Sequence, residues 1–114
     1  MHEITLCQQT IETVEQFARA NGARAITDVW LRVGAFSCVE PAAMDFCFEL
    51  VCRETLADGC KLHLELQTAH CFCNHCQKEV ELLSSMVKVC PHCGSHDLNI
   101  DADNDVTIER IEII

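Results

Sequence analysis

The sequence predicts an α+β fold in which two helices pack on a small three-stranded sheet, with a metal-binding module inserted before the last strand. Three observations support this fold class. Two segments carry apolar residues at helical spacing, three others alternate as half-buried strands do, and four cysteines form two C-x-x-C pairs. The length of 114 residues corresponds to about one domain.

Two segments predict amphipathic helices. The first covers residues 4–20 and ends at Asn21-Gly22, because glycine suits the left-handed position after a last helical turn. The second covers residues 41–54 and begins at Pro41, whose missing N–H costs nothing in a first turn. The predicted buried stripe of the first helix consists of Leu6, Cys7, Ile11, Val14, Phe17 and Ala18.

Three segments predict strands. Residues 25–36 alternate around Val29, Leu31 and Val33, and residues 60–68 alternate around Leu62, Leu64 and Leu66. Residues 106–113 alternate as well, with one slip that a β-bulge explains. We expect this last strand to rejoin the sheet formed by the first half of the chain.

The composition changes at about Ala69. Residues 70–97 hold four of the six histidines and the spaced cysteines, and they show little continuous apolar pattern. Residues 101–105 read as an acidic turn. We therefore divide the chain into an α/β domain, residues 1–69 with 106–114, and a metal-binding module, residues 70–105.

The charge of the chain argues against a nucleic-acid partner. Its formal net charge is −10 and its eight Lys and Arg residues are dispersed, whereas binding to phosphates requires clustered basic side chains. The sequence has no run of about 18 apolar residues that would span a membrane. No export signal is recognisable at the start of the chain. We expect a cytoplasmic protein whose partners are cations or basic protein surfaces, with no nucleic-acid and no membrane partner.

Two C-x-x-C pairs predict a metal site. They are Cys73-Asn-His-Cys76 and, after thirteen residues, Cys90-Pro-His-Cys93-Gly94. Ten cysteines without an export signal favour metal binding over disulfides. Zinc prefers four thiolates in a tetrahedron about 2.3 Å from sulfur, and two such turns complete that shell. A closed shell leaves no position for a substrate, so we expect the four cysteines to hold a structural Zn(II) in a zinc-ribbon-like module.

Other interpretations of this module stay open at this point. The pairs can also be redox dithiols, and a C-P-x-C-G turn occurs in rubredoxin-like proteins, where tetrathiolate sites hold iron. Cys71 is an alternative to Cys73 as a ligand, although its spacing from Cys76 is less suitable. Each flanking histidine is more often a surface residue than a ligand, but one of them can lend a nitrogen to a second metal. These histidines are His70, His75, His92 and His96.

The amino terminus offers a second group of metal donors. The free amine of Met1, the amide nitrogen of His2 and the His2 imidazole can close fused chelate rings around one ion. Such nitrogen-rich sets suit Ni(II) or Cu(II), and Glu3 is a candidate for a further donor. On the residues alone, a histidine at position 2 is more often only a surface residue.

The chain resembles the HypA/HybF family of hydrogenase nickel-incorporation proteins from end to end. The residues that carry the resemblance are Met1-His2-Glu3, the strand Val29–Gly34, the turn Phe36–Glu40, the segment Phe46–Cys52 and the two C-x-x-C pairs. The resemblance implies an α/β domain with a three-stranded sheet and two helices, together with a zinc module.

The resemblance also implies a function. Members of the family bind nickel at the Met-His-Glu motif, with the histidine, here His2, as the essential ligand. They pass the nickel, together with a nickel-handling GTPase, to the large subunit precursor of [NiFe] hydrogenase, and some serve urease. Glu3 and Glu40 match positions that the family associates with nickel handling. The expected function is therefore that of a nickel metallochaperone, with Zn(II) as a structural cofactor and Ni(II) as cargo.

Two other classes of function compete with this one. A zinc-ribbon adaptor would bind proteins through the cysteine module and deliver no nickel, and nickel titration distinguishes it from a metallochaperone. An enzyme is disfavoured, because the sequence has no paired-carboxylate or nucleophile motif and the predicted metal shell is closed. We expect no catalytic activity.

Overall fold

The structure is a computed structural model that describes residues 3–82, 88–102 and 104–114. Two helices and two small three-stranded sheets make up this part of the chain, which confirms the predicted α+β fold with its inserted cysteine module. In chain order the elements are α1 (Glu3–Ala20), β1 (Ile26–Val33), α2 (Pro41–Cys52), β2 (Lys61–Leu66), β3 (His70–Cys73), β4 (Lys78–Glu81), β5 (Leu98–Asp101) and β6 (Val106–Ile113).

The main sheet has the strand order β2-β1-β6. The central strand β1 runs parallel to β2 and antiparallel to β6. A parallel pair needs a crossover, which α2 provides between β1 and β2. β6 follows the cysteine module in the chain and still pairs with β1, as predicted. The predicted slip in β6 is also present: Trp30 pairs with Arg110 and Leu31 with Ile108, so that Glu109 is the extra residue.

The helix ends follow from local hydrogen bonds. At the end of α1 the Ala23 N–H donates to the Ala18 carbonyl at 2.9 Å, and Gly22 takes the left-handed conformation with φ of 68°. At the start of α2 the Glu40 carboxylate accepts a hydrogen bond from the Ala42 N–H at 3.2 Å and caps the helix. Neither described helix combines the length and apolar character that crossing a membrane requires.

Both helices contribute to one hydrophobic core with the sheet. Val29 and Leu31 of β1 are fully buried and contact a cluster that includes residues from α1 and α2. Two residues differ from the prediction. Phe17 is 53% exposed at the edge of a groove between α1 and β6, and Leu66 is 57% exposed because it ends the edge strand β2.

A row of stacked side chains crosses the polar face of the main sheet. The Trp30 ring stacks on the His63 ring at 4.5 Å between centroids, and the Arg110 guanidinium lies over Trp30 at 4.6 Å. The His63 imidazole also lies 2.8 Å from the Asp28 carboxylate. This hydrogen bond from His63 lowers the pKa of Asp28. His63 therefore already has two partners on this face.

The cysteine module contains a second sheet that the sequence did not reveal. Its strand order is β4-β3-β5, with β3 antiparallel to both neighbours, and each strand has only four residues. Strands this short carry too few side chains to establish an alternating pattern. Asp101, predicted to lie in an acidic turn, is the last residue of β5.

The second sheet has a hydrophobic cluster of its own, which includes Cys71, Val80 and Leu82. The overall shape is elongated, with a radius of gyration of 17.7 Å. A compact domain of this length would have a radius of about 13 Å. The division into domains of residues 1–69 with 106–114 and of residues 70–105 stays a prediction.

Replacing Phe48 with Ala should lower the free energy of unfolding by about 3–5 kcal/mol, because it removes a large side chain from the core of the main sheet. Phe48 is 2% exposed, whereas Phe46 on the same helix is 64% exposed. Phe46→Ala is the matched control and should change stability by less than about 0.5 kcal/mol. Urea denaturation followed by circular dichroism measures both variants. Equal losses would contradict the assignment of Phe48 to the core.

Candidate metal centre

Each C-x-x-C pair forms the same tight turn. The Gln77 N–H donates to the Cys73 carbonyl at 2.8 Å, and the Gly94 N–H donates to the Cys90 carbonyl at 2.9 Å. The residue after each second cysteine is left-handed, with φ of 59° at Gln77 and 76° at Gly94. Glycine adopts this conformation without cost, and glutamine does not. A glycine at position 94 is typical of such a bend, whereas a glutamine at position 77 is not.

The two turns bring four sulfur atoms together. Cys73 Sγ lies 3.6 Å from Cys93 Sγ, and Cys76 Sγ lies 3.8 Å from Cys90 Sγ. All four atoms lie within 4.8 Å of one another. A tetrahedron with bonds of about 2.3 Å to zinc separates its sulfurs by about 3.8 Å. Sulfurs in a disulfide would lie about 2.05 Å apart, so this group fits one metal ion rather than two disulfides.

This group is distinct within the described part of the chain. No other set of three or more His, Cys, Asp or Glu residues there brings its ligand atoms together in the same way. Cys71 is not a member, although it is adjacent in β3; it is buried in the core of the module. The ion that the donors fit is a thiophilic one, because all four donors are thiols.

Backbone N–H groups point at two of the sulfurs. The Cys76 N–H lies 3.4 Å from Cys73 Sγ, and the His92 N–H lies 3.4 Å from Cys90 Sγ. Burial opposes the ionisation of Cys90, but the N–H groups of Cys93 and His92 lower the pKa of this thiol to about 6. A hydrogen bond with the Cys93 thiol raises the pKa of Cys76 to about 12. A cation that binds the four sulfurs has to displace the protons that these thiols carry.

Hydrogen bonds outside the shell hold the two turns together. The Asn74 N–H donates to the Asp97 carbonyl at 3.0 Å, and the Asn74 side-chain amide donates to the Asp97 carboxylate at 3.0 Å. The Cys90 N–H donates to the Ser95 carbonyl at 2.9 Å. Asn74 in the first turn is thus fixed to the segment after the second turn. The sequence did not point to Asn74 or Asp97, because neither residue is one of the cysteines of the C-x-x-C pairs.

Cys7, Cys52 and Cys60, which lie outside the module, are buried or partly buried. Cys7 and Cys52 are buried between the helices and the sheet, and burial raises the pKa of each thiol to about 12. Cys60 is partly buried, and burial raises its pKa to about 11. A pKa raised by burial disfavours the thiolate and so lowers the reactivity of these three thiols near neutral pH.

The predicted amino-terminal nickel site lies mostly outside the described residues. Met1 and His2 are not among them, and Glu3 is the first residue of α1 and is partly exposed. Glu40, the other position that the resemblance associates with nickel, has its carboxylate on the α2 cap. Among the described residues, the donors that meet are the four cysteines.

The fold and the cysteine site define a class of protein. It is a small α+β protein with a group of four cysteines that fits a tetrathiolate metal centre. Four protein ligands would close the shell of such a centre and leave no position for a substrate. A centre of this kind serves structure rather than catalysis.

Comparison with known proteins identifies the family to which the chain belongs. A family profile described as "Hydrogenase/urease nickel incorporation, metallochaperone, hypA" matches residues 1–113. Hydrogenase maturation factor HypA of Salmonella typhimurium is 58% identical over 113 residues, which are 99% of this chain and 96% of the relative. HypA of Escherichia coli K12 is 55% identical over 113 residues, which are 99% and 97% of the two chains.

A solved structure has the same fold. The solution structure of the Ni metallochaperone HypA from Helicobacter pylori matches with a TM-score of 0.65 and 23% identity, covering 100% of this chain and 98% of that one. The chain therefore belongs to the HypA family of nickel-incorporation metallochaperones. Proteins of this family are maturation factors for hydrogenase rather than catalytic enzymes.

Replacing Cys73 or Cys90 with Ala should remove most of the zinc, because three thiolates cannot close the shell. Zinc content per chain after dialysis, measured by mass spectrometry, should be about one in the parent protein. Residues 70–97 should then become sensitive to protease, because metal binding is coupled to folding there.

Cys71→Ala is the matched control, since it removes a neighbouring thiol of the same strand that lies outside the sulfur group. This variant should keep its zinc. Full zinc retention in both ligand variants would contradict the ligand assignment. A red ferric centre in place of colourless zinc would support the rubredoxin-like alternative.

Proposed function

We propose that the chain binds Ni(II) at Met1-His2-Glu3 and delivers it for the maturation of [NiFe] hydrogenase. The observation that carries this proposal is the match of the HypA family profile to residues 1–113, which include the amino-terminal motif. Delivery proceeds with a nickel-handling GTPase to the large subunit precursor of the hydrogenase, in the cytoplasm. Neither a nucleic acid nor a membrane takes part.

The chemistry of the motif supports nickel as the cargo. The amine of Met1, the amide nitrogen of His2 and its imidazole form fused chelate rings, and these donors suit the square-planar or tetragonal geometry of Ni(II). The site differs from the cysteine shell in donor type. Nitrogen donors take the transported ion, and thiolates hold the structural Zn(II) at Cys73, Cys76, Cys90 and Cys93.

The position of the motif supports release as well as binding. Glu3 is the first residue of α1, so Met1 and His2 directly precede this helix in the sequence. A helix amino terminus disfavours a nearby cation by about 0.3–1 kcal/mol, and the Glu3 carboxylate offsets this effect. A partner that binds the free end can therefore compete for the donors one at a time.

The charge of the chain supports a protein partner with a basic surface. Eighteen Asp and Glu residues outweigh eight Lys and Arg residues, which gives the net charge of −10. Complementary charge speeds association and orients the encounter. A GTPase or hydrogenase precursor with a basic patch around its nickel-accepting groups fits this surface.

The two parts of the chain have different tasks in this proposal. The domain of residues 1–69 with 106–114 carries the nickel site, and the module of residues 70–105 is held by zinc and presents a separate surface. The main-sheet core and the module core share no buried residue, which supports separate folding.

Replacing His2 with Ala should remove the amino-terminal nickel equivalent while zinc content and the circular dichroism spectrum stay unchanged. The imidazole is lost from the nickel donors, and the cysteine shell is a different site. Isothermal titration of the zinc-loaded protein measures the nickel, and hydrogenase activity in a strain carrying the variant measures maturation. His63→Ala is a control that removes an imidazole paired with Asp28. Nickel binding and maturation as in the parent would refute the role of His2.

Adding one residue before Met1 should weaken nickel binding although His2 is retained. The extension converts the Met1 amine to an amide, which removes one donor and displaces the chelate rings. A residue added after Ile114 is the matched control and should leave the affinity unchanged. Equal affinities of the extended and parent proteins, measured by competition with a nickel chelator, would exclude the amine as a ligand.

A further inference from the structure

A cleft on the module contains unassigned metal-binding side chains. It has a volume of about 330 Å³ and is lined by Thr68, Ala69, His70, Glu79, Val80, Glu81 and His92. None of the four clustered cysteines lines it. Two imidazoles and two carboxylates thus share a cavity that is separate from the sulfur shell.

The strand register places two of these side chains, those of His70 and Glu81, next to each other. His70 of β3 pairs directly with Glu81 of β4. Cys71 and Cys73 are buried, so His70 lies on the opposite, exposed face of the sheet. Directly paired residues have Cβ atoms about 4.5–5.5 Å apart. A metal ion with bonds of about 2.0–2.2 Å to nitrogen and oxygen can bridge side chains at this separation.

His92 reaches the cleft from the second cysteine turn. It lies between Cys90 and Cys93, and its N–H donates to Cys90 Sγ at 3.4 Å. The turn therefore fixes the backbone of His92, while its side chain lines the cleft with His70. Asp101 of β5 pairs with His70 from the other side and supplies a further carboxylate nearby.

The side chains of His70, His92 and Glu81 make no hydrogen bond or ion pair with the described part of the chain. His63 on the main sheet, by contrast, is paired with Asp28 at 2.8 Å. The cleft groups do not meet as closely as the four sulfurs do. All three residues are exposed, and exposed side chains change rotamer readily.

We propose that His70, His92 and Glu81 form a second site for a divalent transition-metal ion, here Ni(II). Two imidazoles and a carboxylate are donors that suit such ions and not Mg(II) or Ca(II), which prefer oxygen. Three protein ligands leave positions open to water or to an entering ligand, in contrast to the closed sulfur shell. The ion at this site is exchangeable for that reason. The site goes beyond the proposed amino-terminal nickel site and does not depend on it.

The test uses full-length, zinc-loaded protein in which the amino-terminal motif is disabled by His2→Ala together with one residue added before Met1. Nickel chloride is titrated in the presence of a weak chelator, and zinc content is measured in every sample. We expect this protein to retain about one nickel per chain, bound through nitrogen and oxygen in X-ray absorption spectra. Adding His70→Gln or His92→Gln should weaken that binding at least about tenfold with zinc unchanged.

Two further variants complete the test: one is a control, and the other replaces the third proposed ligand. His75→Gln removes an exposed imidazole of the first cysteine turn that does not line the cleft, and it should leave nickel affinity unchanged. Glu81→Gln keeps the shape of the side chain, removes its charge and should weaken binding as the histidine variants do. Both predictions are measured in the protein with the disabled motif, so they do not depend on nickel bound at the amino terminus.

The proposal is overturned if the protein with the disabled motif binds no nickel, or if His75→Gln weakens binding as much as His70→Gln. Loss of nickel after His2→Ala in the parent, with the cleft variants unaffected, would support the amino-terminal site and overturn the cleft site. Loss of nickel in the cleft variants, with nickel binding of His2→Ala unaffected, would support the cleft site and overturn the amino-terminal site.

Discussion

The convergence of four sulfurs from two distant turns is the constraint on which the cysteine module depends. β3, β4 and β5 have four residues each, and a sheet this small buries little apolar surface. A structural zinc ion contributes about 10–16 kcal/mol in zinc-finger peptides, far more than such a core can supply. The hydrogen bonds from Asn74 to Asp97 then fix the two turns around the metal.

The module is tied to the main sheet at both of its ends. The Gln67 N–H donates to the Val33 carbonyl at 2.9 Å where the chain leaves the sheet, and the Gly34 N–H donates to the Asp105 carbonyl at 2.8 Å where it returns. Phe36 after β1 packs against the module core, with the Lys88 ammonium 5.9 Å from its ring. The segment that follows β1 is thus a point of contact between the main sheet and the second sheet.

Sequence patterns predicted the parts of the fold that rest on periodic burial or on local turn chemistry. The stripe on α1, Gly22 at its end and the alternation in β6 each depend on residues close together in the chain. The three short strands did not show a pattern. The exposure of Phe17 beside the groove depends on how α1 packs on β6, and the helical spacing of apolar residues does not report that packing. The spacing of the cysteines predicted their convergence. The pairing of His70 with Glu81 depends on strand register, which composition does not reveal.

The proposed nickel site and the four-cysteine group differ in donor type and in access. In the proposed function, four thiolates would enclose a zinc ion that does not exchange, and the nitrogen donors of Met1 and His2 would hold a nickel ion that can be passed on. X-ray absorption at the zinc and nickel edges of one untagged sample, before and after nickel addition, tests this separation most directly. The account predicts zinc with four sulfur neighbours at about 2.3 Å that nickel leaves unchanged, and nickel with nitrogen and oxygen neighbours only. Nickel bound through sulfur, or zinc displaced by nickel, would contradict it.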